Sequence, residues 1–215
     1  MNQILANSNF TSYIRKKQNL THQETMSRIV SRRPCGSELS SEEHQMLIQA
    51  LEGDCVLTLL NEQMYWLCEL ASHLSTEQID KIHRPYRWTV RQVFAHCVDA
   101  ERFLGMCLTQ FAAGESSRLT QPDYDQYVET RFGLGNFSGL VTEWGYLRQS
   151  NILLLRRMVP RVWDHQGEID ESSLTTRGVA WLIAGHMHHH LSIVEERCNL
   201  SIRRDSGSSS SEKNM

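Results

Sequence analysis

From residue 40 to residue 198 hydrophobic side chains recur at steps of three and four, and outside that span they show no sustained period. Leu57, Leu60, Met64, Leu67, Ala71 and Leu74 form a seam on one stripe of a helix. Ser40 followed by Glu43 reads as a capping box that opens a shorter helix ending near Gly53. Ser75 starts a short turn, and Pro85 interrupts the chain. Thr89 with Gln92 forms a second capping box, launching a long helix through about Phe111 that Gly114 ends. Residues 115–135, with Pro122, Gly133 and Gly135, read as a loop. A third long helix sets Leu140, Trp144, Leu147, Leu154 and Met158 on one face and is closed by Pro160. The fourth runs from about Thr175 to Cys198. No segment alternates with period two for long enough to predict a strand. Four helices of about 20–26 residues, joined by two moderate links and one long one, predict an all-α fold, a four-helix bundle.

The flanks differ in character. Residues 1–39 are polar and irregular and are expected to form an N-terminal arm. Residues 199–215 end in a serine-rich run and read as a flexible tail. The domain between them is 40–198, with no internal repeat. A chain of 215 residues that is 40% hydrophobic suffices for one sizeable core.

Charge narrows the function. Lysine and arginine total 22 against 25 acidic residues, a net of −3, which speaks against a nucleic-acid partner because phosphate binding needs a basic surplus. No stretch approaches the roughly 18 uncharged apolar residues of a membrane span, so no membrane partner is expected. Arg15, Lys16 and Lys17 are followed by polar residues rather than by the apolar core of a signal peptide. The expectation is a soluble, cytoplasmic protein. The six cysteines (Cys35, Cys55, Cys68, Cys97, Cys107, Cys198) lie scattered in helical patterns without a C-x-x-C pair, and read as reduced thiols.

The candidate chemistry lies in the histidines. Four of the ten fall in the window Gly-His186-Met-His188-His189-His190. On a helix whose apolar face is set by Val179, Leu182, Ile183, Ile193 and Val194, His186 and His190 project from the middle of that face. His189 falls at its edge, and His188 points toward water. Two imidazoles buried one turn apart need partners. A divalent cation is one, since i,i+4 spacing lets two ring nitrogens converge on it; carbonyl or carboxylate acceptors are the other. A third ligand from a facing helix would be His96, on the flank of the face Val93, Cys97, Ala100, Leu104 and Cys107. Such a trio leaves coordination positions open, as catalytic sites require.

The same residues carry a family resemblance. The string Arg-Trp88-Thr-Val-Arg-Gln-Val-Phe-Ala-His96-Cys-Val-Asp99-Ala-Glu101-Arg102 resembles the second-helix signature of the DinB-like superfamily. Ala-Trp181-Leu-Ile-Ala-Gly185-His186-Met-His-His-His190-Leu-Ser-Ile-Val-Glu-Glu-Arg197 resembles its last-helix G-H-x-x-H-H segment. Asp125-Gln-Tyr127 through Trp144-Gly-Tyr-Leu-Arg148 also runs parallel, so the likeness covers roughly residues 50–198. The resemblance implies a four-helix bundle whose facial His96, His186 and His190 bind a divalent metal, commonly nickel, zinc or iron. Its members include S-transferases that use low-molecular-weight thiols, a mycothiol-dependent maleylpyruvate isomerase, hydrolases, and the iron-binding domain of sulfoxide synthases. Those last enzymes carry a further catalytic domain, for which this chain has no room. A homodimer also fits the resemblance.

Two readings follow. The first is a metal-dependent thiol S-transferase or hydrolase acting on a small molecule. The second is a non-catalytic bundle with a structural or sensory metal, closed by a fourth ligand such as Glu101 or Asp99. Asp99 reads either as an acceptor that orients an imidazole or as a solvated carboxylate. Glu101 reads as a general base or as a partner of Arg102 or Arg148. Asn151 reads as a hydrogen bond fixing helix register or as a substrate contact, and Gly185 as a point of close helix approach. His188 and His189 are expected at the surface, and Cys97 in the core. Substrate specificity is expected to lie in loops 114–136 and 160–174.

Overall fold

A computed structural model describes residues 30–115, 117–130 and 135–204. Its helices are α1 (Glu42–Gln49), α2 (Val56–His73), α3 (Thr76–Asp80), α4 (Val90–Ala113), α5 (Tyr124–Thr130), α6 (Phe137–Arg156) and α7 (Thr176–Cys198). The long ones, α2, α4, α6 and α7, make the bundle. In it α4 packs against α6 and α7, and α2 against the same two. Helices α2 and α4 therefore lie diagonally opposite, as do α6 and α7. Both diagonal crossings need chain to span the bundle end, which accounts for the links carrying α3 and the hairpin described below.

Helix starts are written locally. Thr89 caps α4 by accepting from the Gln92 amide, while the Gln92 side chain accepts from the Thr89 amide. Gly114 ends that helix at φ +78°, a conformation open to glycine without strain. Ser75 and Gln78 form a second reciprocal box on α3. The first helix departs from expectation: Ser41, not Ser40, caps it by accepting from the His44 amide. The Ser40 hydroxyl instead accepts from the Ser173 amide, 133 residues away. Of the two adjacent serines only tertiary pairing decides which one caps.

Two elements were not expected. Gln166–Ile169 (β1) and Ser172–Thr175 (β2) pair antiparallel around the two-residue loop Asp170–Glu171, with Asp170 at φ +50°. Four residues a side are too short for period two to stand out, so the fold is mostly helical with one small hairpin. Within the span read as a loop, α5 forms because the Asp123 carboxylate accepts from the Gln126 amide. Its two turns carry too few apolar residues to show a period.

The core runs from Leu60, Leu67 and Leu70 of α2 through Phe111, Leu108 and Cys107 of α4 to Trp181, Val179 and Val194 of α7. Helix α7 is buried on nearly all sides over Thr176–Gly185, because α1 and residues 30–39 cover its outer face. At Gly185 an added Cβ would lie 2.8 Å from the Leu47 carbonyl oxygen of the α1 helix, so close approach explains that glycine.

The described part of the arm is tied down by polar contacts. The Trp181 indole donates to the Arg32 carbonyl at 2.7 Å, and Arg33 donates to the carbonyls of Ile48, Leu51 and Gly53. Glu38 is the hub, receiving the Cys35 amide at 2.8 Å, Arg32 at 2.9 Å and the buried Arg177. Burial works to raise the Glu38 pKa, but these hydrogen bonds outweigh it and hold the carboxyl down to about 2. A carboxyl depressed below its unfolded value of about 4.3 contributes stability that is present above that pH and lost as pH falls toward 2. Urea unfolding at several pH values is expected to show the wild type losing roughly 1–3 kcal/mol more than Glu38→Gln between about pH 5 and 2.5. Parallel pH dependences would remove Glu38 as the acid-sensitive contact.

No helix among the described residues is long and apolar enough to cross a membrane.

Candidate metal centre

Helices α4 and α7 lie side by side, and their facing stripes bring His96 against His186 and His190. The three Nε2 atoms form a triangle with edges of 2.9 Å (His96–His186), 3.1 Å (His96–His190) and 3.2 Å (His186–His190). Their ligand atoms make up a His, Cys, Asp or Glu group within 4.8 Å of one another. His96 is buried, and His186 and His190 are half-buried. The Trp88 ring lies 5.2 Å from His96, and Tyr124 of α5 meets it edge-on at 4.5 Å.

Burial pushes the His96 pKa down to about 4, with the neighbouring His189 adding to the shift. His186 and His190 are held well below the ordinary imidazole value, again by burial first and then by the other imidazoles. All three rings are therefore neutral near pH 7.

A neutral imidazole carries one N–H and one lone pair. The Nδ1 atoms of His96 and His190 are buried without a hydrogen-bond partner among the described residues, while every Nε2 faces two others. No assignment of one proton per ring satisfies this cluster from within. Two nitrogens about 2.0–2.1 Å from one cation, at angles between square and tetrahedral, stand about 2.8–3.4 Å apart. All three edges fall in that window. The donor set is neutral, borderline in softness and convergent, and it fits a divalent first-row cation.

The other predicted residues divide. Glu101 is turned into the core, where its two oxygens accept from Arg148 at 2.9 and 2.8 Å, with the Asn151 amide also on one of them. Asn151 thus serves helix register, α6 on α4. Gln63 of α2 accepts from Arg148 at 2.6 Å and donates to the Ala184 carbonyl of α7 at 2.7 Å. The network joins all four long helices and ends two residues before His186. Asp99 is half-buried and close enough to Tyr124 to reinforce the upward push that burial and Cys107 give its phenol. Neither Asp99 nor Glu101 joins the three imidazoles as a fourth ligand among the described residues. His189 is exposed as expected. His188 is half-buried instead of facing water, because α7 is covered outside as well as inside, with Glu52, Glu195 and Arg204 near enough to influence it. Cys97 is buried, and burial beside Glu101 pushes its thiol up. Sequence reasoning missed Tyr124 as a wall of the site, since it stands on the short helix not foreseen.

A family model described as the DinB superfamily matches residues 61–194. No curated protein matches the chain. Among solved structures, YfiT from Bacillus subtilis aligns with a TM-score of 0.61 at 21% identity, covering 80% of this chain and 99% of that one. YfiT is described as "a probable metal-dependent hydrolase with an unusual four-helix bundle topology". At that identity the likeness speaks for the fold.

Proposed function

The chain belongs to the DinB superfamily, and on that premise we propose that it is a metal-dependent enzyme whose His96, His186 and His190 hold a divalent cation. The reaction is delivery of a nucleophile to a small molecule, with water for a hydrolase or a low-molecular-weight thiol for an S-transferase. The observation that carries this reading is the convergence of three neutral Nε2 atoms with no fourth protein ligand among the described residues. A cation bound there would act as a Lewis acid and ease loss of a proton from water or a thiol near neutral pH. The chain's own residues do the rest. The imidazoles stay unprotonated because burial disfavours their charged form, and Trp88 and Tyr124 brace the His96 ring. The description of YfiT as a metal-dependent hydrolase supports the hydrolytic form.

A structural or sensory metal is the second reading. It requires a closed site, and the turning of Glu101 toward Arg148 weighs against it. Elemental analysis of the purified protein beside the triple His96/His186/His190→Ala variant tests the site. Near one equivalent of zinc, nickel or iron in the wild type and under about a tenth in the variant is expected. Equal metal content in both would sink the proposal.

A further inference from the structure

Arg197 stands seven residues beyond His190 on α7, on the same side and about 10 Å along the axis. Beside it opens a cavity of about 540 Å³ whose lining includes Lys81, His83, Arg84, Tyr86, Glu196 and Arg197. Its three cations face one carboxylate, and Glu196 is already engaged, accepting from the Tyr86 hydroxyl at 3.1 Å. Most arginines near acidic groups in this chain are paired: Arg32, Arg91, Arg102, Arg118, Arg148, Arg177 and Arg204 each meet a carboxylate. Lys81, Arg84 and Arg197 have no ion-pair partner among the described residues.

Arg197 is nonetheless held in place. Its guanidinium lies 3.7 Å above the Tyr86 ring and donates through Nη1 to the Trp88 carbonyl at 3.0 Å. Its Nε is buried with no acceptor among the described residues. These contacts orient the cation without neutralising it, and a partly desolvated guanidinium that no carboxylate pairs with is stabilised by an anion beside it. The position is not remote from the imidazoles. Trp88, whose carbonyl takes Arg197, is the residue whose ring lies 5.2 Å from His96, so a single residue connects Arg197 to the triad.

We infer that this cavity is an anion subsite in which Arg197, Arg84 and Lys81 hold the negatively charged end, carboxylate or phosphate, of the small molecule whose other end faces His96, His186 and His190. The second half of that statement rests on the function proposed above; the first half does not. The substrate class it selects is an elongated organic anion with its reactive centre about 10 Å from its charge.

Two titrations test it. Inorganic phosphate and succinate are added in turn to the metal-free full chain, to Arg197→Gln and to the doubly substituted Lys81→Ala/Arg84→Ala, with NMR following the Trp88 indole and His83 ring signals. Lys81 and Arg84 are exposed, so the double variant keeps the fold even if Arg197→Gln does not. Saturable binding in the wild type, weakened about tenfold or more in the variants, is expected, and the tighter of the two anions identifies the charged group. No saturable shift, or binding undiminished in the variants, overturns the subsite. Next, 6-mercaptohexanoate and 6-mercaptohexanol are compared by calorimetry on the metal-loaded protein. A preference of about tenfold for the carboxylate, absent in the double variant, is expected; equal binding overturns the link between cavity and triad. A chain that takes up no metal defeats the function proposed above, while the anion titration still decides on the cavity.

Discussion

Replacing His186 by alanine is expected to weaken metal binding by roughly 10²–10³-fold. Three imidazole ligands share a binding energy of the order that structural zinc sites divide among four, so each accounts for several kcal/mol. The His186 Nε2 lies 2.9 Å from the His96 Nε2 and 3.2 Å from that of His190, and no carboxylate among the described residues joins the group to replace it. The sign on stability is opposite in the absence of metal. Removing one of three crowded, buried nitrogens relieves a conflict that no proton assignment resolves, so the metal-free variant is expected to melt no lower than the metal-free wild type. Competition titration against a chromophoric chelator, with circular dichroism to confirm unchanged helix content, checks both halves. Metal affinity within threefold of wild type would sink the three-histidine site. A metal-free variant that melts far lower would show that His186 serves the core instead.

Arg148→Ala is expected to be the most destabilising single substitution away from the triad. The Arg148 side chain is fully buried and its partner Glu101 is 3% exposed. Removing the guanidinium strands a carboxylate in the core with only the Asn151 amide, a loss of about 3–5 kcal/mol. At about 2–4 °C per kcal/mol for a chain this long, the melting temperature should fall by roughly 6–20 °C. Replacing both partners, as in Arg148→Met with Glu101→Leu, should recover most of the loss, because a buried pair returns little beyond its own desolvation. Denaturant melts of the three proteins decide the matter. A single substitution costing under about 1 kcal/mol would mean that the pair is solvated in solution.

That network marks the limit of what the pattern of residues could tell. The stripe Leu57, Leu60, Met64, Leu67 and Leu74 is buried as the spacing predicts, and Thr89, Gly114 and Thr175 bound their helices where expected. Helical caps and seams are local, and local signals survive in one sequence. His96, His186 and His190 were legible for the same reason: each lies on a face that neighbouring apolar residues define. Arg148 was legible only as an option for Glu101, because a fully buried arginine on α6 looks, in sequence, like any exposed one. Its burial depends on Gln63 and Glu101 from two other helices. The hairpin, α5 and the choice of Ser41 over Ser40 were hidden because each rests on few residues or on a partner more than a hundred positions away. The half-buried state of His188 was hidden because an apolar face was sought on one side of α7, whereas Ala180, Trp181, Ala184 and Met187 make it buried nearly all round.

His96 and His186 are separated by 90 residues. A cation gripping both would act as a cross-link, fastening the middle of the chain to its last helix and closing a loop that spans α5, α6 and the hairpin. For a disulfide over a loop of that size, the freedom removed from the unfolded chain corresponds to about 4–5 kcal/mol. Two of the three ligands arrive only with α7, so a growing chain that has completed α4 and α6 still offers one imidazole.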